Sequence, residues 1–330
     1  MNRCIRFILT AALCVIPMTP LGAQSKDKKN DPEQIGNRDV GKGVNFYSLE
    51  REIALGKQLA QEIERQARFV DAPVPAEYVN RLAQNLARNS DIRVPVTAKL
   101  IDSSEVNAFA LPGGFLFVNS GLVLKADTEA ELAGALAHEI AHVAARHATR
   151  QASRGQVIDL ASLPLIFLGG WAGYAVRQGA GLAIPLTFLR FSRGFEREAD
   201  LLGLQYLYKT GYDPTSFIDF FERMEAMEKK KPGTVSALFR SHPNMATRIQ
   251  FTQKNVQELL AAQPQYVIST SEFQEVKQQL TLMAYARKVT PEKSGPTLRR
   301  STGNTRTQPD DSEGAKPDQD ERPTLKRRNP

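Results

Sequence analysis

His138, Glu139 and His142 lie within five residues of one another and together could activate water on a metal. An α-helix turns by about 100° per residue, so histidines four apart project from one face and make a two-point clamp. Glu139 falls beside that row rather than in it, within reach of a water held at the metal. The HExxH pattern therefore reads as a catalytic zinc site rather than a structural one.

Such a site needs three protein ligands and one open position. The same segment does not supply the third, because Ala145 and Ala148 stand where a metzincin continues with Gly and His. His147 points to the far side of a continuous helix and reads as a solvated or internally satisfied histidine near its end. A carboxylate on a second helix, 191–210, is the remaining source. Glu196 and Asp200 are four apart on one face, whereas Glu198 lies about 200° round from Glu196. Glu196 is the third ligand, with Glu198 the next candidate. Asp200 is placed to accept the distal N–H of a zinc histidine.

The elements that must hold these residues are written nearby. Thr128-x-x-Glu131, preceded by Asp127, is a capping box that opens the HExxH helix, and the Ala/Leu run behind it allows burial against a sheet. Residues 94–102 alternate as a strand, and 107–118 read as two strands around a Pro112-Gly113-Gly114 turn. Helices are expected from Ser48 to the region of Pro73 and Pro75, from Ala76 to Asn89, from Pro214 to Glu228, and from Pro243 through Arg248. Residues 265–268 read as a short strand, and Ser269-x-x-Glu272 caps a final helix to about Ala286.

HEIAH at 138–142, SRGFEREAD at 192–200 and SHPNMATR at 241–248, in that order, resemble the M48 peptidases, a gluzincin family, and within it the soluble periplasmic BepA/LoiP-like branch. The resemblance spans roughly 44–286. It implies an α+β, mainly α zincin domain with a small sheet beside the HExxH helix, and one Zn2+ per chain. It places His242 near the zinc, as an oxyanion donor or as a fourth ligand closing the site, against a plain capping role. Arg248 would face substrate or the metal carboxylates. Asn107, Ala108, Phe109 and Ala110 would form an edge strand that binds the substrate backbone, with an ordinary hairpin an equal reading. The implied activity is endopeptidase hydrolysis of unfolded or misassembled cell-envelope proteins. The alternative is a zinc-stabilised periplasmic chaperone or binding module with a normally closed cleft.

The ends point to export. Residues 1–23 carry Arg3 and Arg6, an apolar run from Phe7 to Met18, and Leu21-Gly22-Ala23, the pattern of a signal peptide leading to the periplasm. Both cysteines, Cys4 and Cys14, lie there, so the mature chain would have no disulfide. Residues 24–43 read as a disordered leader, 44–287 as the protease domain and 288–330 as a disordered tail. The apolar, glycine-rich stretch 158–191 reads as a lid or a flap with weak membrane-surface contact. A membrane hairpin is disfavoured by Pro164, Gly169, Gly170, Gly173 and Arg177, which divide the run. The net charge of +7 is spread without an aromatic-interleaved basic patch, which argues against nucleic-acid binding.

Overall fold

Ser48 begins the ordered helical core: its side chain accepts from the Arg51 amide and opens α1, Leu49–Gln66, in the computed structural model. The structure describes residues 30–158, 191–233, 242 and 245–289, with side chains at 30–154, 191–233, 242 and 245–286. Helix α2, Pro73–Arg88, starts three residues earlier than the sequence suggests. First-turn amides have no intrahelical partner, so Pro73 and Pro75 open the helix rather than separating it from α1.

Three strands follow: β1 Thr97–Ile101, β2 Ala108–Leu111 and β3 Phe115–Asn119, in the order β1-β3-β2. β1 runs parallel to β3, with Thr97 opposite Phe115 and Ile101 opposite Asn119. β2 pairs antiparallel with β3 through a turn that needs positive φ at Gly113 and Gly114, +78° and +93°. β2 is thus an edge strand, and it lies against the HExxH helix.

After the short α3, Ser120–Lys125, comes α4, Glu129–Ala144. Thr128 Oγ1 accepts from the Glu131 amide at 3.2 Å, and the Glu131 carboxylate reaches back to the Asp127 amide at 2.7 Å. Small and apolar on nearly every side, α4 is enclosed by α2, β2 and two later helices, and almost all of its residues are buried.

The expected continuous helix through Arg150 is in fact two. Ala145 closes α4, Arg146 turns left-handed at φ +55°, and α5, His147–Ile158, begins after it. No Gly or Pro marks the break. A non-glycine residue there costs about 1–2 kcal/mol. Arg146 is held in place by Glu52 Oε2 at 2.7 Å and the Tyr47 carbonyl at 2.7 Å.

Helix α6, Arg193–Lys209, is capped by Ser192 and packs along α4. The close approach depends on Gly203, where a Cβ would lie 3.0 Å from the backbone N and Cα of His138. Helices α7, Thr215–Lys230, and α8, Met245–Leu259, pack beside them, and α9 spans Ser271–Val289. The cap of α9 is Thr270, whose Oγ1 accepts from the Phe273 amide, and not Ser269, whose hydroxyl accepts from the Glu129 amide at the start of α4. Val267 makes a single bridge to Tyr212 instead of a strand.

The expected leader is partly docked. Residues 32–34 form a 3-10 turn, Val40 is buried in the core, and Arg38 forms a buried ion pair with Asp91 at 2.9 Å. Polar composition misled here because the charged side chain is matched inside the domain. The signal segment, most of 158–191 and nearly all of the tail fall outside the described residues. Among the described residues, no helix is long and apolar enough to cross a membrane.

Candidate metal centre

The face shared by His138 and His142 on α4 looks directly at the face shared by Glu196 and Asp200 on α6. Opposed helices thus deliver two imidazoles and a carboxylate to one point, and His242 joins them from the chain before α8. Metal-ligating atoms of His138, His142, Glu196 and His242, all buried, lie within 4.8 Å of one another.

Individual separations are informative. His138 Nε2 is 3.0 Å from His142 Nε2, 3.3 Å from His242 Nδ1 and 3.5 Å from Glu196 Oε2. Glu196 Oε1 is 3.7 Å from His142 Nε2, and Glu196 Oε2 is 3.1 Å from His242 Nδ1. A tetrahedral zinc with bonds of about 2.0–2.1 Å separates its donors by roughly 3.3 Å. The distances scatter around that edge length, and three imidazoles with one carboxylate form a donor set suited to zinc. Burial, helped by the neighbouring histidines, pushes His142 well below the usual histidine range, so it is neutral as a ligand must be.

The surroundings fix these donors. His138 Nδ1 lies 3.1 Å from Asp200 Oδ1, as the sequence suggested, so its outer N–H donates there. Arg248 lines the recess beside Glu139 and also faces the carboxylates of the cluster. Its Nε and Nη2 bond Asp200 at 2.9 and 2.6 Å, and its Nη1 is 3.4 Å from Glu196 Oε2. All three nitrogens thus reach carboxylates, and Nη2 also lies 3.3 Å from His138 Nδ1. Burial alone would raise the carboxyl pKa of Glu196 and Asp200. The charges of His242 and Arg248 hold Glu196 well below the usual range, and Arg248 lowers Asp200.

Glu139 stands beside the cluster. Its Oε2 accepts from the Ala110 amide of β2 at 3.1 Å, and its Oε1 is 3.2 Å from His242 Nε2. Burial disfavours a charge on His242, but Glu196 and Glu139 outweigh it and raise its pKa to about 10. Without a metal, His242 is therefore an imidazolium bridging both carboxylates.

The sequence pattern of Peptidase family M48 matches residues 73–256, more than half of the chain and all of this cluster. The chain belongs to that family. Among M48 relatives, it is 27% identical over 249 residues to the Beta-barrel assembly-enhancing protease of Yersinia pestis, covering 73% of this chain and 51% of that one. To the protein of the same name in Escherichia coli K12 it is 26% identical over 276 residues, 80% and 54% of the two chains. It is 30% identical to Metalloprotease LoiP of the same organism over 204 residues, 59% and 77%. The chain spans about half the length of the first two relatives.

Two residues in this M48 site were underestimated by their spacing alone. His147 is fully buried, with Nδ1 2.9 Å from His142 Nδ1 and Nε2 3.1 Å from Glu198 Oε2. It remains unsuited as a ligand, but the helix break at Arg146 turns it back onto the site. Glu198, named as the next candidate ligand, faces His147 instead. The role of the Ala110 amide was also not legible, because strand pairing gives no hint of which amide meets Glu139.

Proposed function

We propose that the chain is a zinc-dependent endopeptidase, one ion per chain, that cleaves unfolded or misassembled cell-envelope proteins after its own export to the periplasm. The observation that carries the reading is the convergence of four buried donors at zinc-like separations beside a carboxylate that is not one of them. The relatives named as Beta-barrel assembly-enhancing proteases support an envelope substrate.

His138, His142 and Glu196 would hold the zinc, which would supply Lewis-acid polarisation of a carbonyl and a more acidic water. Glu139, oriented by the Ala110 amide, takes a proton from that water and passes it to the leaving amine nitrogen. The Asn119 amide bonds the Asn107 carbonyl, and antiparallel pairing alternates, so the peptide groups of Ala108 and Ala110 face away from β3. Along that edge, Asn107 to Ala110, the Ala108 peptide groups and the Ala110 carbonyl take the substrate strand in extended form, the Ala110 amide being engaged by Glu139. An apolar recess lined by Leu122, Phe220 and Phe221 beside Glu139 receives a substrate side chain.

The placement of His242 Nδ1 among the ligand atoms favours a closed resting state, in which His242 holds the fourth position until substrate displaces it. This preserves the closed-cleft feature of the chaperone alternative within an active protease. Glu139→Gln separates the two. It should keep one zinc yet lower cleavage of unfolded casein by about 10²–10⁴-fold. Undiminished cleavage would remove Glu139 as the base, and a parent protein without zinc would remove the metal reading. Release by osmotic shock tests the location, and resistance to carbonate extraction would point to a membrane hairpin instead.

A further inference from the structure

We propose that His147 is a positioning residue for the metal ligand His142 and that Glu198 fixes His147 in turn, a two-step relay running from the back of the ligand to the edge of the domain. The proposal rests on the zinc reading above.

Proton placement leaves a single consistent arrangement. His142 turns Nε2 into the cluster, 3.0 Å from His138 Nε2, so its Nδ1 lies on the outer side. A ring nitrogen that gives its lone pair to a metal leaves the proton on the other nitrogen. His142 Nδ1–H must therefore donate, and the atom 2.9 Å away, His147 Nδ1, must accept. An imidazole accepting at Nδ1 carries its proton on Nε2, where Glu198 Oε2 waits at 3.1 Å. Every donor in the series then meets an acceptor.

The rings are also held sideways. Phe195 stacks on His147 with centroids 4.4 Å apart and planes at 24°, and Phe191 stacks on His142 at 4.1 Å and 20°. Arg150 Nη1 donates to Glu198 Oε2 at 3.1 Å and to the Ala145 carbonyl at 3.0 Å. That cation holds the end of the relay and ties it to the last turn of α4. A histidine present only to fill space would not need both nitrogens placed in this sequence. An outer carboxylate strengthens a ligating imidazole and fixes its tautomer, and here the influence of Glu198 reaches His142 through His147.

The test measures zinc affinity of the full chain by competition with a chromophoric chelator, together with the visible spectrum of the cobalt-substituted protein. His147→Phe keeps a ring against Phe195 but removes the acceptor. It should weaken zinc binding by about 10–100-fold and shift the cobalt spectrum. His147→Asn, whose Oδ1 can occupy the place of Nδ1, should recover part of that loss. Glu198→Gln should weaken binding by a smaller factor. Parental affinity and an unchanged cobalt spectrum in His147→Phe would overturn the relay, even if the metal-free protein were less stable. If His147→Phe does not fold, Glu198→Gln decides, because its side chain is 20% exposed; parental affinity there would overturn the proposal. His142→Ala keeps the two levels apart. Zinc affinity unchanged in that variant refutes the metal reading and the relay with it, whereas loss in His142→Ala without loss in His147→Phe refutes the relay alone.

Discussion

The three imidazoles of the cluster are held in two different ways. His138 and His142 each turn one nitrogen inward and the other outward, His138 to Asp200 directly and His142 to His147. His242 turns both nitrogens inward, Nδ1 toward Glu196 and His138 and Nε2 toward Glu139. The first pair is braced from behind by packed helices. Among the described residues, the polar contacts of the third are with the groups it closes over, so its departure need not move the helices that carry them. A bracing atom costs entropy to order but keeps the metal in place, whereas an unbraced ligand can be exchanged for water.

The largest effect that would break this contrast comes from Asp200. It is fully buried, accepts from His138 and receives the Arg248 fork. Asp200→Ala should lower stability by about 3–5 kcal/mol, because it leaves the buried charge of Arg248 with only the longer contact to Glu196 among its carboxylates. It should also weaken zinc binding by about 10–100-fold. Urea unfolding and chelator competition read the two losses separately. Parental zinc affinity in a destabilised variant would mean that Asp200 serves Arg248 and not the metal arm.

His242→Ala sharpens the contrast from the other side. Zinc should remain on three ligands, and cleavage of unfolded substrate should rise toward the inverse of the fraction of molecules already open. If turnover fell by about 10²-fold with zinc intact, His242 would be an oxyanion donor instead. No change in turnover or zinc affinity would leave it a packing residue.

Much of the braced half was legible because it obeys helix arithmetic. The i, i+4 pairs His138/His142 and Glu196/Asp200, and the Thr128 cap, are short-range patterns that persist inside any helix. The pairing of β2 with β3 was legible from the turn glycines, whereas the place of β2 at the edge of the sheet was not. What escaped depended on contacts between distant residues. Arg38 is buried where Asp91, far along the chain, meets it. The break after Ala144 has no Gly or Pro to announce it and is stabilised by Glu52, on α1. Assuming a continuous helix sent His147 to the wrong side, and Glu198 lost its purpose with it.

That break gives the smallest predicted effect and the sharpest one for the His142 arm. At Arg146 two terms oppose each other: the left-handed backbone costs about 1–2 kcal/mol for any residue but glycine, and the side chain offsets this through Glu52 and the Tyr47 carbonyl. Arg146→Ala keeps the strain and removes the contacts, leaving buried Glu52 with the Thr149 hydroxyl at 2.9 Å. It should cost about 1–3 kcal/mol. Arg146→Gly removes the same contacts and most of the strain, so it should be more stable than the alanine variant by about 1 kcal/mol. Thermal unfolding of the metal-free proteins measures the difference. Zinc affinity adds a second reading, because glycine preserves the turn that seats His147 and should hold metal as the parent does, while alanine lets that turn fray and should hold it less tightly. Equal stability and equal zinc affinity in the two variants would show that the left-handed turn at Arg146 is not what presses His147 against His142.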